Sequence, residues 1–357
     1  MAMQTYGLST GRIEKYKGLI LKHSQPFEIL AKAGENIPMP RNNSRTYVAR
    51  RWLPFNAAAT NVSTQNRYIQ NGTGNRDIAV AQAHQIAEGV TPVPDSVTPV
   101  DITVVLQQYG CVYGYTDVVS DLYEDDIPAA MIEQCGERIA FVNEMIIYGA
   151  LRQCTNVYYG GSGTSVATVN GGLTLGLLRN IAKGLAANGA KMVNKMLKAG
   201  PNFGTDAVGE GYLVYVSTDL EPDIRDLPNF TPTERYASGT ALPNEIGKCE
   251  RFRFIGHKDL PAVQDGGAAV ATYPGYISTT GTSMDVYPIL VVAQDAWGQI
   301  ALRGKDSAKI NIMRPGDYSK SDILGQRGYI GAIWWKAVMI KNGGWMAVAN
   351  VAARSLT

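Results

Sequence analysis

The chain has 357 residues, a net charge of +2, 45% apolar residues and only 18% charged ones. That length suits one large or two ordinary domains, and the near-neutral balance excludes a protein that grips nucleic acid by bulk electrostatics. Charged residues make up about a quarter of an ordinary soluble domain, so the shortfall favours a subunit that buries much of its exterior in neighbours. Four cysteines, Cys111, Cys135, Cys154 and Cys249, are widely spaced with no C-x-x-C pair. They read as buried or idle thiols in a reducing compartment. The longest apolar stretch near the start, Gly18 to Leu21, is too short for the core of a signal peptide, and no segment approaches the ~20 apolar residues of a membrane span. The expectation is a chain made and kept in cytosol, with no membrane partner.

Residues 1–46 carry no sustained period and are punctuated by Gly7, Gly11, Gly18, Gly34, Pro26, Pro38 and Pro40, which predicts an extended arm. From Tyr47 to about Val100 the chain is polar and turn-rich, with Asn71-Gly-Thr-Gly-Asn75 and Glu88-Gly-Val-Thr-Pro-Val-Pro94 inside it. Strand-like runs, Arg45 to Trp52 and Ser96 to Gln107, bracket this excursion. A stretch of that length with no core of its own is usually functional. Gln107 to Asp117 reads as a further strand leading into the best helix. Asp121, Glu124, Asp125, Asp126 and Pro128 suit its first turn, and Met131, Cys135, Ile139, Val142, Ile146 and Ala150 recur every three or four residues as one apolar stripe. The predicted helix, Asp125 to Leu151, is a rod of roughly 37 Å.

Tyr158 to Ser165 reads as a flexible loop. A second helix is predicted over Thr174 to Asn188, with Leu175, Leu178, Ile181 and Leu185 on one face and Asn188-Gly189 as its stop. Beyond it the pattern is α+β, with strands at Tyr212 to Ser217, Arg251 to Gly256 and Tyr287 to Ala293, and a short helix near Asp219 to Leu227. No repeat at a fixed period is present. At the far end two apolar, aromatic-rich runs flank Lys341-Asn-Gly-Gly344. An Asn-Gly pair tolerates the positive φ of a type I′ turn, so the segment reads as a β-hairpin.

Enzyme motifs are poorly represented. Gly160 to Ser165 is glycine-rich but lacks the lysine a P-loop needs to reach phosphates, no G-x-G-x-x-G is present, and no serine sits in a G-x-S-x-G elbow. His23, His84 and His257 are the only histidines, and none stands in a metal-binding spacing. The acidic run at 121–126 could hold a divalent cation or act in acid–base chemistry, but complementing the helix dipole explains it more simply. No cofactor is implied. Arg41, Arg45, Arg50 and Arg51 form a group better suited to clamping carboxylates of another chain than to gripping DNA, because guanidinium binds carboxylate through two parallel hydrogen bonds.

Several blocks, in order across most of the chain, resemble the N4-like family of tailed-bacteriophage major capsid proteins. They are Arg45-Thr-Tyr-Val-Ala-Arg-Arg51, Ala87 to Pro92 with Gln108-Tyr-Gly110 and Thr116-Asp117, and Leu213-Val-Tyr-Val216 with Asp223-Ile-Arg-Asp-Leu227. Gly239 to Gly247 with Arg251 to Ile255 follows, and Leu324-Gly-Gln-Arg-Gly-Tyr329 is the best marker. Two departures stand out: Asn244 where glycine is expected, and Ser217-Thr218 where His-Pro is expected. The resemblance implies an α+β chain of the Hong Kong 97-type capsid fold: an arm at 1–46, an extended loop at 47–100, a peripheral domain with a spine helix at 101–154, an axial domain at 155–310, and a return to the peripheral domain at 311–357 ending in the hairpin. It implies no catalysis. Its expected partners are further copies of the chain in hexamers and pentamers, packaged double-stranded DNA at the inner face without sequence specificity, and portal, scaffold or decoration proteins; its place would be the virion, assembled in the host cytoplasm. Contacts between subunits are then expected at Arg41, Arg45, Arg50, Arg51, Arg67, Tyr68, Arg76 and Glu88, and a structural core at Met131, Cys135, Ile139, Val142, Ile146, Trp334, Trp335 and Trp345, the tryptophans lying in the peripheral sheet. Some shells of this fold are welded by lysine–asparagine bonds from a loop lysine, whereas here no lysine occurs between Lys32 and Lys183. The rival readings are a small-oligomer α+β enzyme with an unrecognised site and a phage decoration or tail protein.

Overall fold

The computed structural model describes residues 28–40, 44–52, 85–86, 88–91, 97, 99–118, 127–197, 205–236, 241–302, 308–316 and 323–356. Most of the expected arm, most of the expected loop, and the acidic run at 121–126 lie outside them. In chain order the strands are β1 (Glu35–Met39), β2 (Thr46–Trp52), β3 (Pro99–Val105), β4 (Gln107–Thr116), β5 (Val157–Tyr159), β6 (Val193–Leu197), β7 (Thr205–Ser217), β8 (Phe230–Pro232), β9 (Glu245–Cys249), β10 (Phe252–His257), β11 (Val286–Val292), β12 (Trp297–Leu302), β13 (Lys309–Met313), β14 (Arg327–Ile340) and β15 (Met346–Ala352). Among the described residues the α-helices are α1 (Ile127–Arg152), α2 (Leu175–Ala187) and α3 (Glu221–Arg225). They fall into two compact units, one within Met1–Tyr47, Val104–Ile147 and Gln299–Met339, the other within Val48–Thr103, Tyr148–Gly298 and Ile340–Thr357.

The first unit is a five-stranded sheet packed on one helix. Its strand order is β1-β12-β14-β13, with β4 also bonded to β14 from Arg327↔Thr116 to Lys336↔Gln107. Alternate residues of β14, Ile330, Ala332 and Trp334, point with Cys111 and Tyr115 of β4 onto Ile132, Cys135 and Ile139 of α1. Gly328 continues that face because a Cβ there would lie 2.3 Å from the Tyr115 ring. Of the expected core, Cys135 and Ile139 are buried, Met131 and Val142 pack at the margin, and Ile146 is only half-buried. The buried face of α1 passes instead through Asn143, Glu144 and Ile147. Trp334 Nε1 donates to Asn143 Oδ1 at 2.9 Å, and Glu144 accepts from Leu30 N at 2.9 Å and Ala31 N at 3.3 Å. Two polar residues thus stand in the helix's apolar face because each is hydrogen-bonded there.

The second unit is an eight-stranded sheet in the order β5-β15-β11-β7-β10-β9-β8, with β6 also on β7. The pairs β5–β15 and β7–β10 are parallel. Tyr212, Val214, Val216, Ile289, Val291, Ala347 and Ala349 form one face, covered by Leu178, Ile181 and Leu185 of α2 and by Ile224 of α3. The start of α2 is set by Thr174, whose hydroxyl accepts from Leu177 N at 3.2 Å, and its end by Gly189 at φ +70°. Asn244 sits at φ +60°. That is the left-handed region, which glycine enters freely and asparagine tolerates, so the departure from glycine keeps the turn.

The terminal hairpin does not form. β14 lies in the five-stranded sheet, while β15 lies between β5 and β11 in the eight-stranded one. A type I′ turn needs positive φ at both central residues, but Asn342 is extended at φ −147°. Its Oδ1 accepts from Gly344 N at 3.1 Å and opens a 3-10 turn over Gly343–Trp345. Asn188, beyond α2, donates Nδ2 to Gly344 O and receives Trp345 Nε1, each at 3.0 Å. Buried amides therefore overrule the local turn preference, and Trp345 packs with the second unit's core rather than in the sheet that holds Trp334 and the half-buried Trp335. In the same way Gln299–Leu302 falls in the first unit and Met346–Ala352 in the second.

Candidate functional site

The feature least explained by either core is the two-stranded ribbon β2–β3. Both strands alternate exposed and half-buried residues along their whole length, and neither buries a single side chain fully. Val48 and Trp52 are 53% and 58% exposed. An isolated pair of strands is marginal in water, and large apolar side chains left out of a core mark a surface that expects cover.

Arginines hold the ribbon together. Arg50 binds Asp101 through two parallel hydrogen bonds, Nε to Oδ1 at 2.7 Å and Nη2 to Oδ2 at 2.9 Å. The carboxylate hydrogen bond raises the Arg50 pKa and lowers that of Asp101. Arg45 donates Nε to Leu106 O at 2.8 Å and Nη2 to Gln107 Oε1, while Leu106 N returns a bond to Arg45 O at 2.9 Å. The two forks are engaged inside this chain, across its own strands, where the sequence suggested carboxylates of another.

Arg51 points elsewhere. It is half-buried and donates Nη1 to Lys341 O at 2.9 Å, at the rim of a cleft of about 370 Å³ lined by Arg51, Asp101, Cys154, Lys341 and Asn342 among others. Burial pushes the pKa of both Arg51 and Lys341 down. Asn342 is buried, and its Nδ2 makes no hydrogen bond. The cleft is lined by two cations, Arg51 and Lys341, and by the carboxylate of Asp101, which Arg50 engages.

Glu88 is exposed in a turn closed by Gly89 at φ +78°. Arg41, Arg67, Tyr68 and Arg76 lie outside the described residues. The glycine-rich loop after β5 is tied by Asn170 and Thr168, which accept from Ser162 N and from Thr164 N and Ser165 N. His257 is buried and accepts from Asp259 N at 3.0 Å. Among the described residues no group of three or more His, Cys, Asp or Glu is placed to hold a metal ion, and no helix is long and apolar enough to cross a membrane. Sequence reading missed Asp101, Asn188, Asn143 and Glu144. Their partners lie 51 to 191 residues away, and only Asn143 and Glu144 carried a local sign, as polar residues beside an apolar stripe.

No family model and no curated protein matches the sequence. The fold does have relatives among solved structures. The capsid of Ralstonia phage GP4 aligns over 93% of this chain and 91% of its own at 10% identity, with a TM-score of 0.60. The head structure of Helicobacter pylori bacteriophage KHP40 aligns over 98% and 95% at 10% identity and TM-score 0.55, and the capsid asymmetric unit of cyanophage Pam1 over 100% and 96% at 11% and 0.55. These alignments run nearly end to end, so the shared feature is the whole architecture rather than one common sheet. The chain has the α+β, Hong Kong 97-type fold of phage capsid subunits.

Proposed function

We propose that this chain is a tailed-phage major capsid protein that assembles with copies of itself into an icosahedral head around double-stranded DNA. The observation that carries this reading is the match over more than nine-tenths of both chains to subunits of phage capsids and heads. The coreless ribbon, the exposed Trp52 and the low charge content support it independently. In this reading residues 1–46 are the arm and 47–100 the extended loop, with β2–β3 as its base. The five-stranded sheet with α1 is the peripheral domain, and the eight-stranded sheet is the axial domain. Arg41, Arg51, Arg67, Tyr68, Arg76 and Glu88 are contact residues between neighbours, while Arg45 and Arg50 stiffen the ribbon that presents them. Hexamers and pentamers use near-equivalent heterologous contacts that close by curvature. The role is structural rather than enzymatic, the place is the virion after assembly in the host cytoplasm, and portal, scaffold or decoration proteins are the remaining partners. Membership of the N4-like family rests on the sequence blocks.

Negative-stain microscopy and sedimentation of the expressed chain test the proposal. Closed shells or megadalton capsomer assemblies are expected, with or without a co-expressed scaffold. A small oligomer that never enlarges under either condition would refute it and favour the enzyme reading.

A further inference from the structure

Cys111 lies on β4 and Cys135 on α1, and their sulfur atoms are 3.6 Å apart in the core between sheet and helix. Both thiols are free and buried. The other two cysteines are turned to backbone: Cys154 Sγ donates to Gly343 O at 3.3 Å, and Cys249 Sγ to Pro228 O at 3.5 Å. A disulfide needs sulfurs ~2 Å apart, so closing the pair brings the two sulfurs together by roughly 1.6 Å. We propose that Cys111 and Cys135 form a latent cross-link, a dithiol that a small peroxide converts into a disulfide bolting β4 to α1 once the protein leaves a reducing compartment.

Peroxide is the oxidant the burial permits, because a molecule little larger than water reaches a thiol that a glutathione-sized disulfide does not. Cys111 is the sulfur that attacks the peroxide and is oxidised first. The hydrogen bond with Cys135 lowers its pKa, and Arg138 on the next turn of α1 acts in the same direction against the opposing effect of burial. The Cys111 thiolate takes one oxygen of hydrogen peroxide as the O–O bond breaks, leaving a sulfenic acid and, with a proton, water. Cys135 Sγ then attacks that sulfur, the S–O bond breaks, and a second water departs with the Cys135 proton. Two thiols lose two electrons and two protons, and the peroxide accepts both pairs. The bond would close a 24-residue separation and constrain the unfolded chain. This inference rests on the first unit's own geometry and stands whether or not the chain builds a shell.

The test treats the full chain with hydrogen peroxide, blocks remaining thiols with an alkylating agent in denaturant, and reads intact mass and peptide maps. The expected result is a loss of about 2 Da, two alkylatable thiols remaining, and a reducible link between the Cys111 and Cys135 peptides. In Cys135→Ala the link should vanish and Cys111 should gain about 16 Da, trapped by a sulfenic-acid reagent. If that variant fails to fold, the wild-type map alone decides. Four alkylatable thiols after treatment, a bridge to Cys154 or Cys249, or sulfinic acid at Cys111 in place of a bridge would each overturn the proposal.

Discussion

Glu144 gives the sharpest test of how the first unit holds the segment before β1. The residue is 1% exposed, and its carboxylate accepts the backbone N–H groups of Leu30 and Ala31 at 2.9 and 3.3 Å. Leu30 and Ala31 are themselves buried, so bulk water does not reach the two donors in the folded chain. Lys336 adds a second dependence: its enclosed ammonium donates to Gln299 Oε1 at 3.1 Å, and Glu28 and Glu144 oppose the burial that lowers its pKa. In Glu144→Ala two buried donors lose their acceptor, at about 1–3 kcal/mol each for unsatisfied groups, and the longer bond contributes the smaller share. Removing the counter-charge of Lys336 adds to this, and the total expected is about 3–5 kcal/mol. Glu144→Gln keeps one acceptor oxygen but turns an amide donor toward the other N–H, so its cost should be about 1–3 kcal/mol. Urea denaturation ranks the two variants, and amide exchange at Leu30 and Ala31 localises the effect. A Glu144→Ala chain within ~1 kcal/mol of wild type, with both amides still protected, would refute the reasoning, since an effect that small matches one ordinary hydrogen bond.

Arg253 and Glu245 form a buried bidentate pair at 2.8 and 2.6 Å, and Glu245 also accepts from Tyr236 Oη and Leu242 N. Arg253→Met should cost about 3–5 kcal/mol in urea, and adding Glu245→Leu should recover part of it, because a stranded buried charge costs more than an absent pair. Thr174→Ala should cost about 1 kcal/mol by the same assay, through loss of the α2 cap. Burial pushes the folded pKa of Lys336 below the ordinary lysine value of 10.5. Between the two the unfolded chain binds more protons, so this group's contribution to stability rises with pH up to that value. Wild type should therefore gain on Lys336→Met as pH climbs through that window, and an unchanging difference between them would count against enclosure of the ammonium.

What could be read from the residues was what depends on neighbours in sequence. For α2, the cap at Thr174, the apolar period and the Gly189 stop are all local, and the helix matches the expected extent within a residue at each end. For α1 the extent was legible but the face only in part, because Asn143 and Glu144 read as surface positions until Trp334 and Leu30 are brought to them. At Asn342 the local signal was sound and still lost. Its amide and that of Asn188 satisfy a buried turn that sends β15 into another sheet. The arginine group was legible as a set of forks, but the acceptors Asp101, Leu106 O and Lys341 O arrive from 51 to 290 residues away. Strand order in the eight-stranded sheet, with β7 between β10 and β11, likewise carries no local mark.

The lysine-free stretch from residue 33 to residue 182 bears on how copies of this chain would stay together in the proposed shell. It spans the whole proposed loop and α1, so no loop amine exists to attack an asparagine of a neighbour. Arginine occupies the cationic positions, and a guanidinium that stays protonated cannot serve as that nucleophile. Two of those arginines are bound within the ribbon itself, leaving packing of residues such as Val48 and Trp52 and a few charge-assisted hydrogen bonds to make the contacts. In the proposed shell each such bond would contribute only about 1.5–3 kcal/mol, but a subunit would repeat its contacts with several neighbours, so their sum would hold the shell. The expected outcome is that particles boiled in denaturant release a single 38.6 kDa species, with or without prior reduction, because the proposed Cys111–Cys135 bond lies within one chain. A ladder of multimers that survives reducing denaturant would mean a covalent weld between subunits from some other group, and would remove the loop assignment along with the non-covalent account.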